Sequence, residues 1–268
     1  ASKLYYKYKN TDTTFIIMDF RNTFMHFLRK IFFNSSFILI DDGFHTYINY
    51  QKYLKNRIYL PYFQYNNFIG KINKIIHFGF SFRKMIFKEF KLFTIYAKEL
   101  NLPDKDFNNF SFITKLVSKK QINYSNSIVF FSGTKLVERG ALTMDQELSI
   151  INKLKKYWSK RGKKLIYIAK RTSSIDKLNL IEKKIGVKVI NFNLPLELAL
   201  LTGQSAIPHS IISLGSTLNQ TLPMMFDKIK SYHVDVKNMP KRKDLDEDLA
   251  YFKEIFLISD HKKNIINI

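Results

Sequence analysis

Two adjacent carboxylates, Asp41 and Asp42, follow the short apolar run Phe37–Ile40 and precede Gly43. Such a run is typical of a buried strand, so the acids are predicted to stand at the carboxyl edge of a sheet, where open α/β folds bind their ligands. Repulsion between neighbouring carboxylates raises the pKa of one of them, which would let it accept a proton near neutrality. The pattern also suits a helix whose first turn carries acids that favour the helix dipole, without catalysis. Both interpretations stand at this point.

Three later loops, each predicted at the carboxyl end of a strand, carry polar side chains that are expected to converge. They contribute two cations, one acid, and a glycine with two hydroxyls, in the order Lys170, Arg171, Glu197, Gly215, Ser216 and Thr217. A helix start with hydroxyls and free backbone N–H groups is a ready phosphate site, and nearby cations favour that use over a simple helix cap. An acid beside them suits the ribose hydroxyls of a nucleotide.

The second half of the chain has a regular pattern that positions these loops. Strands are predicted over 127–131, 164–169, 187–190, 209–214 and 231–236, and helices follow the first four of them. The strongest helix signals are the capping box that begins at Thr143, a cap at Ser173 or Ser174, and the stop at Gly186. Strands that alternate with helices of this length predict right-handed crossovers and a parallel sheet.

The first half is harder to interpret, because its hydrophobic periodicity is weak. We predict strands over 14–18 and 37–40, helices over 23–33 and 44–54, an extended stretch over 58–63, and a mostly helical, basic and aromatic stretch over 66–118 with a break at 101–103.

The composition narrows the class of protein. The chain has 268 residues, 46% hydrophobic and 25% charged, which is the balance of a folded globular protein. It has no cysteine, so disulfides and thiolate zinc sites are excluded. No apolar run approaches the roughly 18 residues of a membrane span, so any membrane association is expected to be peripheral.

The net charge of +22 predicts a polyanionic partner, whether nucleic acid, an anionic bilayer or an acidic polysaccharide with its nucleotide donor. Between Gln51 and Lys98 the sequence has ten basic residues and one acid, Glu89, interleaved with aromatics. Such a segment suits base stacking on a single strand or contact with a membrane surface. It is equally compatible with a chain that carries its lysines on solvated faces.

The ordered set of motifs resembles bacterial sialyltransferases of the lipooligosaccharide sialyltransferase and polysialyltransferase families. The resemblance rests on Asp41–Gly43 after an apolar strand, on Pro195–Glu197, and on Ser216–Thr217 after another apolar strand. The stretch 131–147 is also similar to the strand that opens the second domain of these enzymes. Together the motifs cover roughly residues 37–235.

The resemblance implies an α/β, GT-B-like fold: two Rossmann-like domains with parallel sheets facing a cleft. The domain over 1–122 would be the acceptor-side domain with the Asp-Asp-Gly motif, and the domain over 123–268 would bind the nucleotide. Only about 40 residues precede the motif, fewer than in the family, so the first domain is expected to be abbreviated or the chain to be a fragment. Sheet edges exposed in this way would invite oligomerisation.

The implied activity is an inverting transfer of a sialic (nonulosonic) acid from its CMP-activated donor to a hydroxyl of lipooligosaccharide or capsular polysaccharide, without metal or cofactor. The family's general base corresponds to Asp41, supported by Asp42. Its ribose-binding acid corresponds to Glu197, and its phosphate-binding hydroxyls to Ser216 and Thr217. We also place Gly215 and Arg171 in the nucleotide site.

One departure concerns the leaving group. The family has a His-Pro pair where this chain has Lys170-Arg171. Lys170 is expected to stabilise the departing phosphate by its charge, although a lysine is a poor proton donor near neutrality unless burial lowers its pKa. Otherwise the proton donor differs or activity has been lost. His209 and His45 are candidates, and we assign neither as the catalytic acid.

The expected partners are a CMP-sugar donor, an acidic or lipid-linked glycan acceptor and an anionic membrane surface, with no specific nucleic acid. The expected location is the cytoplasm, peripheral on the inner membrane face. Two alternatives remain from the sequence: a GT-B protein that is impaired or uses another donor, and a non-enzymatic protein that binds polyanions or membrane surfaces through its charge.

Overall fold

The structure is a computed structural model that describes residues 8, 12–18, 25, 32, 35–52, 54–56, 58–59, 85–86, 91–119, 122–140, 142–235 and 265–267. The chain divides into two compact units, Ala1–Asn108 and Asn109–Ile268.

Unit 1 contains a parallel sheet of three strands in the order β1-β2-β5. Its strands are β1 (Thr14–Ile17), β2 (Ser36–Ile40) and β5 (Lys91–Phe93), and the helix α1 (Phe44–Lys52) follows β2. The strands β3 (Ile58–Tyr59) and β4 (Met85–Ile86) form a separate antiparallel pair. Short 3₁₀ turns cover Leu54–Asn56 and Asp104–Asp106.

Packing in the core of unit 1 positions β2 and the helix that follows it. Phe37 and Leu39 on β2 are buried and alternate with less buried neighbours, as expected of a strand with one face on the core. Beyond the strand, the rings of Phe44 and Tyr47 on α1 pack edge-on against Tyr96, with centroids 6.4 and 5.9 Å apart. This aromatic cluster fixes α1 against the segment after β5, and Asp41 lies between the two.

Unit 2 contains a parallel sheet of six strands in the order β11-β10-β9-β6-β7-β8. The strands are β6 (Tyr124–Ser132), β7 (Lys164–Ile168), β8 (Lys188–Ile190), β9 (Ile207–Ser213), β10 (Lys230–Asp235) and β11 (Ile265–Asn267). The helices are α2 (Ser111–Lys119), α3 (Met144–Ser159), α4 (Ile175–Ile185), α5 (Leu196–Leu201) and α6 (Leu218–Met225). Counted from β6 as the first strand and read from the β8 edge, the order is 3-2-1-4-5-6, that of a Rossmann-like doubly wound sheet.

Helices cover both faces of this sheet. On one face, α3 and α4 pack on β6 and β7 through a core that contains Leu154, Trp158 and Ile181. On the other face, α2, α5 and α6 pack on the same central strands through a core that contains Leu200 and Leu222. Because the central strands are covered on both sides, their buried parts, such as 129–131 of β6 and 165–168 of β7, are apolar runs without alternation.

Local signals in the sequence set the helix ends in unit 2. Thr143 caps α3 in a capping box, in which the Gln146 N–H donates to Thr143 Oγ1 at 3.2 Å and the Thr143 N–H donates to Gln146 Oε1 at 2.7 Å. Ser174 caps α4, and Gly186 ends it with a left-handed φ of 64°. These caps were predicted and are confirmed.

The predicted strands and helices of the second half are confirmed, with ends that move by up to a few residues. In the first half, the strands at 14–18 and 37–40 and the helix from residue 44 are confirmed. The prediction of a mostly helical stretch over 66–118 is wrong at Met85–Ile86 and at Lys91–Phe93, which form β4 and β5. The helix over 23–33, the extended residues after 59, most of the basic aromatic segment and the charged stretch 241–248 lie outside the described residues, apart from isolated positions.

The division between the units lies earlier than the boundary expected between residues 122 and 123. Helix α2 belongs to unit 2, where Val117 is part of the core that α5 and α6 share. The periodicity of α2 did not show which sheet it would cover, since an amphipathic helix fits either.

Gly133 provides a prediction about stability. A Cβ atom at this position would lie 2.5 Å from the Tyr167 hydroxyl and 2.7 Å from its ring carbon Cζ, and Tyr167 is fully buried. We expect Gly133→Ala to lower the free energy of unfolding by about 1–3 kcal/mol because the ring must shift in a packed core. Urea denaturation measures the loss, and a Gly133→Ala variant as stable as the parent would contradict the close approach of Tyr167.

Candidate functional site

Asp41 stands at the end of β2 in a partly buried position with ordered hydrogen bonds. The Thr94 hydroxyl donates to Asp41 Oδ1 at 2.5 Å, and the Ile95 N–H donates to Asp41 Oδ2 at 2.8 Å. Both donors follow β5, the strand that pairs with β2. Asp41 therefore lies at the carboxyl edge of the sheet, as predicted, and hydrogen bonds hold both of its oxygens there.

Burial raises the pKa of Asp41 from 3.8 to about 6, against the opposing effect of hydrogen bonds from Thr94, Ile95 and Thr46. The sequence-based prediction of a raised pKa thus agrees with the structure in direction, but its cause was wrong. Desolvation raises this pKa, and Asp42 is not among the groups that do. Such a carboxylate is ionised at neutral pH and basic enough to accept a proton.

The neighbours of Asp41 were missed by sequence reasoning. Thr94 is fully buried and, besides its bond to Asp41, accepts a hydrogen bond from the Tyr96 N–H at 3.1 Å. The Asp42 N–H donates to Thr46 Oγ1 at 2.8 Å, which ties the motif to α1. Burial, Asp41 and Glu99 raise the pKa of Tyr96, so its phenol is neutral beside the acid. No local signal identifies Thr94 and Tyr96, because their only link to Asp41 is the pairing of distant strands.

In unit 2 the strand order reverses between β6 and β9, and ligands of open α/β sheets bind outside the carboxyl ends at such a point. Ser132, the last residue of β6, pairs in register with Ile168 of β7 and with Ser213 of β9. The loops after these three strands therefore leave the sheet at one level. They carry Lys170 with Arg171 and the Gly215–Thr217 loop, which the structure brings to one edge as predicted.

The loop after β9 differs from the prediction in one respect. Ser213 Oγ accepts hydrogen bonds from the N–H groups of Gly215 at 3.2 Å and Ser216 at 2.9 Å, and Ser216 Oγ accepts from the Leu218 N–H at 3.3 Å. These N–H groups were expected to be free for a phosphate and are not. An anion here would instead meet the hydroxyls of Ser216 and Thr217, which are partly exposed, while the buried Ser213 fixes the loop.

Glu197 lies in the first turn of α5, and its Oε1 accepts a hydrogen bond from the Thr221 hydroxyl at 3.0 Å. Thr221 is one turn into α6, and its N–H donates to the Thr217 carbonyl at 2.9 Å. The structure thus links the predicted ribose-binding acid to the helix that follows the Gly215–Thr217 loop. Thr221 was not identified from the sequence, where it reads as an ordinary helix residue.

Lys170 follows β7 and lies among other cations. Burial of its amine lowers the pKa of Lys170, and Arg139 and Lys135 lower it further. The residue as a whole is exposed to solvent. Arg171 is exposed in the same loop. The two cations predicted at this strand end are in place, and two more, unforeseen, come from the turn after β6.

His209 does not lie at this edge of the sheet. His209 is near the amino end of β9. It lies four residues before Ser213, which places it roughly 13 Å along the strand from the end where the Gly215–Thr217 loop begins. Its Nδ1 lies 2.6 Å from Ser210 Oγ, and burial, Lys163 and Lys230 lower its pKa. His209 is therefore too far from the carboxyl end of β9 to act on a ligand there. His45 follows Asp42 and Gly43 at the start of α1, in unit 1.

No protein-family model matches this chain, and no curated protein matches it. Within the part of the chain that the structure describes, no helix is long and apolar enough to cross a membrane.

Proposed function

We propose that this chain is an inverting glycosyltransferase that transfers a nonulosonic acid, such as a sialic acid, from a CMP-activated donor to a hydroxyl of a bacterial surface glycan. The proposal includes a GT-B-like organisation, with unit 2 as the nucleotide-binding domain. It includes an acidic or lipid-linked glycan as the acceptor and a peripheral location at the inner face of an anionic membrane. The net charge of +22 supports an anionic acceptor and an anionic surface.

The observation that carries the proposal is the carboxyl edge of β6, β7 and β9. At the reversal of the strand order it presents Lys170, Ser216 and Thr217 from loops that leave the sheet at one level. Neutral hydroxyls beside cations suit a nucleotide monophosphate, and Glu197, held by Thr221, suits the ribose.

In the proposed reaction, the Asp41 carboxylate removes the proton of the acceptor hydroxyl as the oxygen attacks the anomeric carbon of the donor. The new carbon–oxygen bond forms as the bond from the anomeric carbon to the phosphate oxygen breaks, and that electron pair leaves on CMP. The raised pKa of Asp41, about 6, supports this role because it brings the basicity of the carboxylate close to neutral pH.

The charge on departing CMP would be stabilised by Lys170 and by the hydroxyls of Ser216 and Thr217. Burial and neighbouring cations lower the pKa of Lys170, which eases donation of a proton to the leaving phosphate. The lysine could thereby take the place of the histidine that the resembling enzymes have.

Calorimetric titration with CMP, UMP, UDP and a short single-stranded oligonucleotide, each at two salt concentrations, tests the proposal. We expect selective binding of CMP that persists at the higher salt concentration. Glu197→Ala should weaken it about tenfold or more, because a hydrogen bond to a charged group contributes roughly 1.5–3 kcal/mol. Asp227→Ala removes an exposed carboxylate before β10, at the opposite edge of the sheet, and should leave CMP affinity unchanged.

Binding of the oligonucleotide that falls steeply with salt, without binding of CMP, would overturn the proposal. The chain would then act as a basic polyanion-binding protein. Selective binding of UDP would instead indicate a transferase with another donor.

A further inference from the structure

The turn between β6 and α3 presents cations at the edge where β6 ends. Its backbone is closed by hydrogen bonds from the Arg139 N–H to the Lys135 carbonyl at 2.9 Å and from the Leu142 N–H to the Leu136 carbonyl at 3.1 Å. Leu136 and Val137 pack against the core. The turn is therefore anchored by its apolar residues, while Lys135 is partly exposed and Arg139 is exposed.

These two cations lie beside Lys170. The ends of β6 and β7 are adjacent, since Ser132 pairs with Ile168 and the Gly133 N–H donates to the Ile168 carbonyl at 2.9 Å. Arg139 and Lys135 are near enough to Lys170 to lower its pKa. Like charges held together repel one another, and an anion placed among them relieves that repulsion.

Glu138, the acid of the same turn, forms an ion pair with a lysine of α4. Glu138 lies 3.3 Å from the Lys177 ammonium, which also donates to the Thr134 carbonyl at 3.0 Å. Glu138 raises the pKa of Lys170, but less than Arg139 and Lys135 lower it. The cluster of Lys135, Arg139 and Lys170 therefore keeps a net positive field.

The loop after β9, on the other side of β6, differs chemically from this cationic cluster. Residues 214–221 include no charged side chain, and the groups that the loop offers are the hydroxyls of Ser216 and Thr217. The edge thus presents two distinct environments for anions, a neutral one after β9 and a cationic one after β6 and β7.

We propose that Lys135 and Arg139, beside Lys170, form a second anion subsite, which binds an anionic group of the donor other than the phosphate held at Ser216, Thr217 and Lys170. This inference rests on the proposed function. The group is a carboxylate or a second phosphate, and a guanidinium binds either through two parallel hydrogen bonds. The carboxylate beside the anomeric carbon of a nonulosonic acid would satisfy the subsite.

Titrations with CMP, CDP and CMP-N-acetylneuraminic acid test this inference on the whole chain. The test variant is Lys135→Gln/Arg139→Gln. The control is Lys164→Gln/Lys188→Gln, which removes the same charge from exposed residues that begin β7 and β8, at the opposite edge. Thermal melting checks that both variants fold.

We expect the parent to bind the CMP-sugar more tightly than CMP. The test variant should lose about tenfold or more in affinity for the ligand with the second anionic group, because hydrogen bonds to charged groups contribute roughly 1.5–3 kcal/mol. Its affinity for CMP should change much less. The control should bind all three ligands as the parent does.

The ligand affected identifies the second group. A loss confined to the CMP-sugar assigns the carboxylate, whereas a loss confined to CDP assigns a second phosphate and a diphosphate-linked donor. Equal weakening of CMP in the test variant would overturn the subsite, because the cations would then serve the first phosphate or act only through overall charge.

A titration with pyrophosphate separates this inference from the proposed function. A parent that binds pyrophosphate but not CMP, with binding lost in the test variant alone, would keep the anion subsite and remove the nucleotide-sugar donor. A parent that binds neither would overturn both.

Discussion

Asp41→Asn is expected to fold and to bind CMP like the parent, and to lose transfer activity by a factor of ~10²–10⁴, the usual contribution of a positioned base. Asparagine has the same shape as aspartate but cannot accept the proton. The measurements are single-turnover transfer from a CMP-activated sialic acid and calorimetric titration with CMP. Asp104→Asn, which changes an exposed acid of unit 1, is the matched control and should keep full activity.

The pH dependence of the parent provides a second readout of the same residue. Because the base must be ionised and burial raises the pKa of Asp41 to about 6, kcat/KM should rise with pH through a midpoint near 6 and level off above it. Thr94→Val removes the hydrogen bond to Oδ1, which favours the ionised form, so the midpoint should move to higher pH. A profile that is unchanged by Thr94→Val, or an active Asp41→Asn variant, would remove Asp41 from the reaction.

The raised pKa also has a consequence for stability. The pKa of Asp41 in the folded protein lies above the ordinary value of 3.8, so between 3.8 and about 6 the folded state binds more protons at this group than the unfolded chain does. Its contribution to the free energy of unfolding therefore falls as pH rises through this window. Asp41→Asn should abolish that part of the dependence, which urea denaturation at the two ends of the window measures.

The second half of the fold was predictable because its signals are local. The Thr143 capping box, the Ser174 cap and the turn at Gly186 each lie within a few residues of the helix end that they determine. Apolar strands between such helices then imply a parallel sheet. The order of the strands was not predictable in this way, since it depends on which faces of distant segments pack together.

The candidate sites were predictable as residues at strand ends, but their contacts were not. Thr94 lies 53 residues from Asp41 along the chain and reaches it only because β5 pairs with β2. Ser213 was predicted simply as part of the strand over 209–214, yet its hydroxyl accepts hydrogen bonds from the N–H groups that were expected to bind a phosphate. In both cases a side chain supplies a hydrogen bond that only the folded backbone brings within reach.

The burial of Glu147 and Lys177 was likewise not predictable from the sequence. At the sequence level both are charged residues in the first turns of helices, positions that usually face solvent. In the structure Glu147 is 0% exposed and Lys177 is 5% exposed. The Lys177 ammonium lies 2.8 Å from Glu147 Oε2, and the Tyr167 hydroxyl donates to Glu147 Oε1 at 3.1 Å. Burial of the pair depends on α3 and α4 covering the same face of the sheet, which their separate patterns do not show.

Lys177→Met is therefore expected to lower the free energy of unfolding by roughly 3–5 kcal/mol, because it leaves the buried Glu147 carboxylate without its counter-charge. Lys183→Met, at an exposed position of the same helix, should change it by no more than about 0.5 kcal/mol. Urea denaturation of both variants gives the comparison. Equal stability of the two would show that the ion pair is not buried as the structure has it.

A third variant separates the loss of a charge partner from the loss of packing. In Lys177→Met/Glu147→Leu both charges are gone, so most of the destabilisation should be recovered, as for other buried pairs replaced by apolar residues. The Lys177 ammonium also donates to the Thr134 carbonyl, so the double variant is expected to hold the turn after β6 less firmly than the parent. If the double variant is as unstable as Lys177→Met alone, that backbone contact rather than the ion pair is what stabilises this edge of the sheet.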